Sequence, residues 1–454
     1  MIYFFTTLFA FFITVSIVIG VHETAHFIAA RIFKIKVLRF SIGFGKVLFR
    51  WRSNNETEYV ISAIPLGGYI KLLDDREDPV TEEMRPFAFN HQALFKRCIV
   101  IFAGPFSNFL FAILTYWIVF AVGFQINLPV IGKVISNSIA QQAQLKAKQQ
   151  ITTIDHTPIQ DWTHANAAIF LRLGDKGVME ITTRQNNRIQ QHTLSLNQWR
   201  LNDLEPNALQ SLGIIPIQAL SSVVIDRLEN MPYANTAQLK RNDEILRINK
   251  HSINNWNDLT NFIHRHPDQR VDVLIKRDNI SITVSAKIGH RYRWGIIKTG
   301  ALGIAPKTPL EPLFPEFIQF VKYPTLSALK RAMIETHRYN MLNLHMFEKL
   351  LTGKLSVRLL AGPIAIFTNA GSALNAGWIV FLRFLAFISL SIGMINLFPL
   401  PGLDGGQLLY LCIEGLTKKS LPTSAQIILY RLSMIFILVL LGLTVVYDVL
   451  RIIS

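Results

Sequence analysis

Residues 1–26 read MIYFFTTLFAFFITVSIVIGVHETAH. The first 21 carry no charged side chain, and then His22, Glu23 and His26 arrive within five positions. A run of about 20 apolar residues is the length of a membrane-spanning helix. On a helix, residues four apart share a face. His22 and His26 can therefore reach one metal ion, and Glu23 between them can reach a water on that metal. The plain alternative is a helix end whose polar residues meet the lipid headgroups. Ionisable groups at the end of an apolar span are costly to bury, which favours a functional role. A secretory signal peptide needs a basic segment before its apolar core, and no Lys or Arg precedes Arg31.

Further uncharged stretches occur at Cys98–Phe124 and Phe384–Leu403, with a shorter apolar run at Leu432–Tyr447. The sequence thus predicts four transmembrane helices. Composition agrees: 50% of residues are hydrophobic and 17% charged, against about 25% charged in a soluble domain. The net charge of +16 raises the question of nucleic-acid binding. Much of the excess flanks the spans, however, at Arg31, Lys34, Lys36, Arg39, Lys46, Arg50 and Arg52. The positive-inside rule places that loop in the cytoplasm. The N-terminus and residues 125–375 are then on the outer side of the membrane, and the 404–425 loop, with Lys418 and Lys419, is inside. The only two cysteines, Cys98 and Cys412, border spans, so a disulfide scaffold is excluded for the external segment.

Within that external segment lies a repeat. Ala-Gln-Leu-Lys stands at 143–146 and again at 237–240, and Ile151, Ile154, Ile159 and Trp162 recur as Ile245, Ile248, Ile253 and Trp256. A constant offset of 94 residues suits two copies of a small domain rather than a solenoid unit. Each copy reads as short strands with a helix after the tryptophan and resembles a PDZ domain. The first departs from that pattern, with Gln149 where the second has Asp243. A generic duplicated α+β domain is the bland alternative. Lys46–Arg52 and Thr57–Ile64 read as a β-hairpin turned by Ser53-Asn54-Asn55. Residues 313–351 read as an amphipathic helix lying along the outer membrane face.

A catalytic zinc takes three protein ligands and keeps a fourth position open. Span three ends in Asn396-Leu397-Phe398-Pro399-Leu400-Pro401-Gly402-Leu403-Asp404-Gly405-Gly406. Asp404 is the first charged residue after 20 uncharged ones. By topology it lies on the same membrane side as His22 and His26. Its bland reading is a turn aspartate before glycines.

These segments together resemble the site-2 protease family of intramembrane zinc metalloproteases. The resemblance covers nearly the whole chain. Its motifs are HETAH at 22–26, SIGFG at 41–45, PLGGY at 65–69, FN at 89–90 with Arg97, AGP at 103–105, the tandem repeat and NLFPLPGLDGG at 396–406. It implies zinc bound by His22, His26 and Asp404, Glu23 as general base, and Asn396 and Pro399 seating the substrate. It also implies that the hairpin is a membrane-reentrant β-loop. The implied substrates are single-span proteins already trimmed on the outer side, an anti-sigma factor or remnant signal peptides, in a bacterial inner membrane with the repeats periplasmic. Ser391 and Gln407 depart from the family pattern, which usually has Asn and His there.

The expected organisation is 1–124 with spans one and two and the hairpin, 125–205 and 206–290 as PDZ-like domains, 291–375 as linker and interfacial helix, and 376–454 with spans three and four. Two other functions compete. A haem protein is disfavoured because histidines four apart on one helix cannot take opposite axial positions. An inactive membrane scaffold would leave Glu23 idle.

Overall fold

The computed structural model describes residues 2–453 apart from 54–55, 77–78, 202–206, 218–222, 230–233, 235, 237, 254, 294–296 and 307–313. The chain divides into two compact units, one built from 1–124 with 321–449 and the other from 125–320.

The first unit opens with helix α1 (Ile2–Ile32). It closes where Lys34 turns to φ +58° and the Ile35 N–H bonds Ala30 O, a left-handed helix stop. A hairpin follows, β1 (Val37–Arg52) against β2 (Glu58–Leu72). The hairpin is longer than the sequence reading, which ended its strands at Lys46 and Ile64. Gly43 and Gly45 lie before the first strand as read from Lys46, yet both fall inside β1 at positive φ. The ladder slips register between Ile42 and Phe44 and again between Phe44 and Val47. Glycine at positive φ beside a register slip marks a bulge, and a bulge bends a strand without ending it. The expected turn residues 54–55 lie outside the described residues. The outer half of β1 exposes Phe44, Val47, Leu48, Phe49 and Trp51, a large apolar surface of the kind that meets lipid or a partner.

Helix α2 (Leu94–Val122) follows. Its buried side is the stripe Arg97, Val100, Gly104, Asn108, Ala112, Thr115 and Val119, spaced three to four residues as one helix face requires.

The second unit begins with β3 (Phe124–Asn127), which pairs with the strand that closes the unit, and β4 (Ile131–Val134). A short helix α3 (Ile139–Gln142) leads to β5 (Gln150–Ile154), β6 (Thr157–Pro158), α4 (Trp162–Phe170), β7 (Val178–Gln185) and β8 (Arg188–Ser195). After α5 (Ala208–Leu212) and β9 (Ile214–Pro216) come β10 (Ile225–Leu228), β11 (Glu244–Ile248), β12 (His251–Ser252), α6 (Trp256–Arg265), β13 (Arg270–Arg277) and β14 (Ile280–Lys287). Strands β15 (Gly289–Arg293) to β18 (Ile318–Val321) complete it.

Two antiparallel sheets of this unit share one strand order, β6-β5-β7-β8 and β12-β11-β13-β14. Each buries alternate residues, Met179 and Ile181 in β7 and Val273 and Ile275 in β13, as the period of two in a strand dictates. The helix of each is capped alike. Asp161 accepts from the His164 N–H and Asn255 from the Asp258 N–H, the usual job of a polar N-cap.

The Gln149 departure leaves this pattern intact. The Gln149 amide oxygen accepts from the Lys146 N–H at 2.8 Å, and Asp243 Oδ2 accepts from the Lys240 N–H at 2.7 Å. Only the second partner differs. Gln149 donates to Gln190, whereas Asp243 is held by the Arg277 guanidinium through two bonds of 2.7 Å. Burial pushes the Asp243 carboxyl up, but Arg277 and the Lys240 N–H outweigh it and hold it below its ordinary value. A depressed folded-state value stabilises the fold above the unfolded value of about 3.9. That stability is lost as pH falls through the folded value. Asp243→Asn is therefore expected to weaken this sheet by roughly 2 kcal/mol at pH 7, with the difference shrinking as pH falls below the unfolded value of about 3.9. Urea titration read by hydrogen exchange of 244–287, at pH 7 and over a series of falling pH, checks it.

The chain returns to the first unit with α7 (Thr325–Leu351). This helix packs along α2, with Tyr339 stacked on Tyr116 at 6.0 Å, and its far end stacks Phe347 on Phe398 at 4.6 Å. Helix α8 (Pro363–Asn375) packs on α1 through Phe367 against Phe4 and Phe11. Then come α9 (Trp378–Asn396), α10 (Asp404–Thr417) and α11 (Thr423–Ile453). Asp448 of α11 accepts the Gly362 and Ala365 N–H groups at the start of α8.

By length and composition, five helices of the described residues can cross a membrane, not four: Phe4–Ile32, Leu94–Val122, Val357–Asn375, Trp378–Asn396 and Ser424–Arg451. The additional one was read as linker, because Arg358 and several Gly, Asn and Ser residues dilute its apolar character. Its α-helical part has 13 residues, a rise of about 20 Å beside a hydrocarbon core of about 30 Å.

Candidate metal centre

The residue types in span one are explained by what α2, α9 and α10 bring against it. His22 and His26 are buried on one face of α1. Asp404 is the first residue of α10, delivered by a chain reversal after α9. The reversal depends on glycine: Gly402 sits at φ +100°. A Cβ at Gly405 or Gly406 would collide with the carbonyl oxygens of Leu397, Phe398 and Leu400. The Asp-Gly-Gly sequence is thus the only kind that lets the helix start this close to the preceding turn.

Three donor atoms meet. His22 Nε2 and His26 Nε2 lie 3.1 Å apart, and Asp404 Oδ2 lies 3.0 Å from the first and 3.4 Å from the second. His22, His26 and Asp404 are the one such metal-ligating group found among the described residues. Tetrahedral zinc with ligands at about 2.0–2.1 Å sets its donor atoms about 3.3 Å apart, so the triangle has the right size.

The surrounding hydrogen bonds also fit a cation. His26 Nδ1 lies 2.7 Å from Val100 O. A carbonyl only accepts, so the proton sits on Nδ1 and the Nε2 lone pair points at the cluster. His22 Nδ1 lies 3.2 Å from the Asn108 amide. Asn108 Oδ1, fully buried, has no hydrogen-bond partner. Turning that amide over lets Oδ1 accept the His22 Nδ1–H, and amide orientation is set by such networks. The Nε2 atom of His22 then also presents a lone pair. Asp404 Oδ2 is buried and likewise lacks a hydrogen bond of good geometry. Two lone pairs and an orphaned carboxylate oxygen facing one point repel each other unless a cation lies between them. The residues present fit a zinc ion.

Glu23 adjoins the cluster from α1, and its Cγ lies against Gly68 of β2, where a Cβ would come within 2.9 Å. Gly104 of α2 is pressed against both imidazoles, so that a Cβ there would approach His26 Cε1 to 2.6 Å and His22 Cε1 to 2.8 Å. Asn396 is the last, half-buried residue of α9, and Pro399 is exposed in the reversal. The Ser391 hydroxyl bonds Phe387 O within its own helix, and Gln407 is exposed on α10.

Sequence reasoning passed over Asn108 and Val100, and met Gly104 only as the middle of the AGP motif, with no role assigned to it. The signal for Asn108 was present: an asparagine inside the uncharged stretch Cys98–Phe124 is a polar group in a span, and those are functional by default. Ser389 of α9 bonds the Asn108 carbonyl at 3.0 Å and ties it into the bundle. Residues that orient a ligating histidine are worth 10- to 100-fold in metal affinity. Asn108→Ala is accordingly expected to weaken zinc binding by about that factor, measured by competition with a chromogenic chelator, while Asn108→Asp keeps it.

Comparison with known proteins gives this geometry a context. The model for Peptidase family M50 matches residues 10–440. A regulator of sigma E protease of Haemophilus influenzae is 35% identical over 97% of this chain and 98% of its own length. The regulator of sigma-E protease RseP of Escherichia coli is 34% identical over 97% of each chain. A protein of Pasteurella multocida whose name describes a zinc metalloprotease is 35% identical over 97% of this chain and 98% of its own. The chain belongs to peptidase family M50, the site-2 protease family, and is a metalloprotease.

Proposed function

We propose that this protein cuts peptide bonds within transmembrane segments, using zinc held by His22, His26 and Asp404 and a proton shuttled by Glu23. The observation that carries this reading is the donor triangle of 3.0, 3.1 and 3.4 Å, at the end of a helix uncharged up to Glu23. When bound, zinc lowers the pKa of its water to about 7 and polarises the scissile carbonyl. Glu23 takes the proton of the attacking water and passes it to the leaving nitrogen. Val100 O and Asn108 keep both imidazoles in the tautomer that ligates. Asn396 and Pro399 help seat the substrate.

A helical substrate hides its amides in i to i−4 bonds, so it must unwind locally. The two-stranded sheet of β1 and β2 has free edges on which an extended segment can add as a further strand. The paired sheets in 125–320, with their matching order and a helix between second and third strands, support tandem PDZ-like domains on the periplasmic side. They act as a size filter that admits single-span proteins only after an outer cut. The relatives named as regulators of sigma E support an anti-sigma factor as substrate in envelope stress signalling, with remnant signal peptides as a second class. The membrane is the bacterial inner membrane, and the metal lies near its cytoplasmic leaflet.

The test is cleavage of a single-span reporter, trimmed and untrimmed. The expected result is cutting of the trimmed form alone, stopped by a zinc chelator and restored by zinc. Cutting that persists in the chelator with no zinc bound sinks the reading.

A further inference from the structure

The buried face of α2 carries Arg97, Val100, Gly104 and Asn108. Val100 and Asn108 hold the two imidazoles of α1. Arg97 holds the helix that supplies the third ligand. Its Nη1 donates to Glu414 Oε2 of α10 at 3.1 Å, and its Nη2 donates to Glu414 Oε1. The two side chains are only 8% and 25% exposed. Among the described residues this is the one ion pair between α10 and α2. The other contacts between these helices are apolar. Leu408 and Leu411 pack into a cluster with Val100 and Ile101, and a Cβ on Gly415 would come within 2.8 Å of Leu94. Apolar contact is non-directional, whereas a guanidinium–carboxylate fork has one geometry. Stability alone does not account for such a pair, because apolar residues of similar volume in its place are often neutral or better.

We propose that the Arg97–Glu414 pair sets the direction and rotation of α10 on α2, and so aims the Asp404 carboxylate at the two histidines. Both are positioning residues for the metal. The inference rests on the reading of His22, His26 and Asp404 as zinc ligands. The close turn at Gly405 and Gly406 fixes where α10 starts. A helix held only at its start can still pivot and turn about its axis, and either motion swings the carboxylate. The ten residues from Asp404 to Glu414 rise about 15 Å, nearly three turns. A two-point grip at that distance removes both freedoms. The demand is strict, because ligand distances at a metal site hold to about 0.2 Å. Helix α2 is then the common template: it orients His22 and His26 through Asn108 and Val100, and Asp404 through Arg97.

The experiment uses the full-length protein in detergent. Zinc affinity by chelator competition is read beside the melting temperature of the metal-free protein. Arg97→Met with Glu414→Leu replaces the pair by apolar side chains of similar length. The expected result is an unchanged melting temperature with zinc affinity about 10-fold weaker. Arg97→Glu with Glu414→Arg rebuilds the pair the other way round and is expected to recover most of that affinity. Arg97→Lys keeps the charge without the fork and is expected to lose affinity as the apolar pair does; it decides the matter where the apolar pair does not melt cooperatively. Wild-type affinity in the deciding variant, or a reversed pair that recovers none of the loss, overturns the inference alone. Affinity that falls only in step with the melting temperature makes the pair merely structural and overturns it too. A wild type that binds no zinc overturns the underlying reading of the metal site, and this inference with it.

Discussion

Glu23→Gln is expected to lower cleavage by about 10² to 10⁴-fold while the protein keeps its full complement of zinc. Glutamine has the same shape, so the contact between the Glu23 side chain and Gly68 is preserved. Its amide cannot take the proton of the attacking water. The loss corresponds to about 3–5.5 kcal/mol of transition-state stabilisation. The donor triangle does not include Glu23, so metal binding is untouched. Zinc per protein by elemental analysis and kcat on a trimmed reporter separate the possible functions in one comparison. A peptidase gives one zinc, no haem absorbance and lost turnover. A haem protein gives a Soret band, and a scaffold gives no turnover to lose. A variant that kept a tenth or more of wild-type turnover would remove Glu23 from the reaction.

How much of this was readable beforehand depends on the range of the physics involved. Spacing within one helix is local, so His22, Glu23 and His26 announce themselves, and the uncharged runs around them predict the spans. Asp404 was readable because, besides its bland reading as a turn aspartate before glycines, it closes an uncharged stretch on the membrane side where His22 and His26 also end. The fold brings it to the two histidines across 378 residues of chain, from 26 to 404. What was not legible is what only packing decides. Nothing local distinguishes the glycine at 104, pressed on two imidazoles, from the glycine at 442, which has open space around it. The strand read from Lys46 begins earlier, because Gly43 and Gly45 bend it at positive φ without ending it. Helix α8 looked like linker because its Gly371 and Ser372 read as polar and flexible; the structure uses Gly371 to seat Thr7 of α1 in close contact. The hydropathy average sees composition, not which face each residue occupies.

Gly104→Ala is expected to cost the protein its metal without costing it its fold. In an ordinary helix interior this change stabilises by up to about 1 kcal/mol, which only partly offsets the cost of crowding two buried rings, so the melting temperature should fall modestly while the protein still unfolds cooperatively. The added Cβ, however, would lie nearer to His26 Nε2 than any real carbon approaches a nitrogen, and 2.6 Å from His26 Cε1. Neither ring can step back. His26 is tethered to Val100 O at 2.7 Å and His22 to Asn108 at 3.2 Å, and breaking either tether frees the wrong tautomer. The rings must therefore turn, and with them the two nitrogen donors, out of a triangle whose edges already match the ion. Affinity should fall by at least the 10- to 100-fold seen when a ligand's support is lost, and turnover with it. Gly442→Ala, on α11 with nothing within 4 Å, is the matched control; it should leave zinc affinity unchanged and hold or raise the melting temperature. Zinc titration of the two variants in detergent, alongside their melting curves, decides the matter. A Gly104→Ala protein that binds zinc as tightly as wild type would mean that the imidazoles do not sit against α2 as described, and the metal site would have to be built another way.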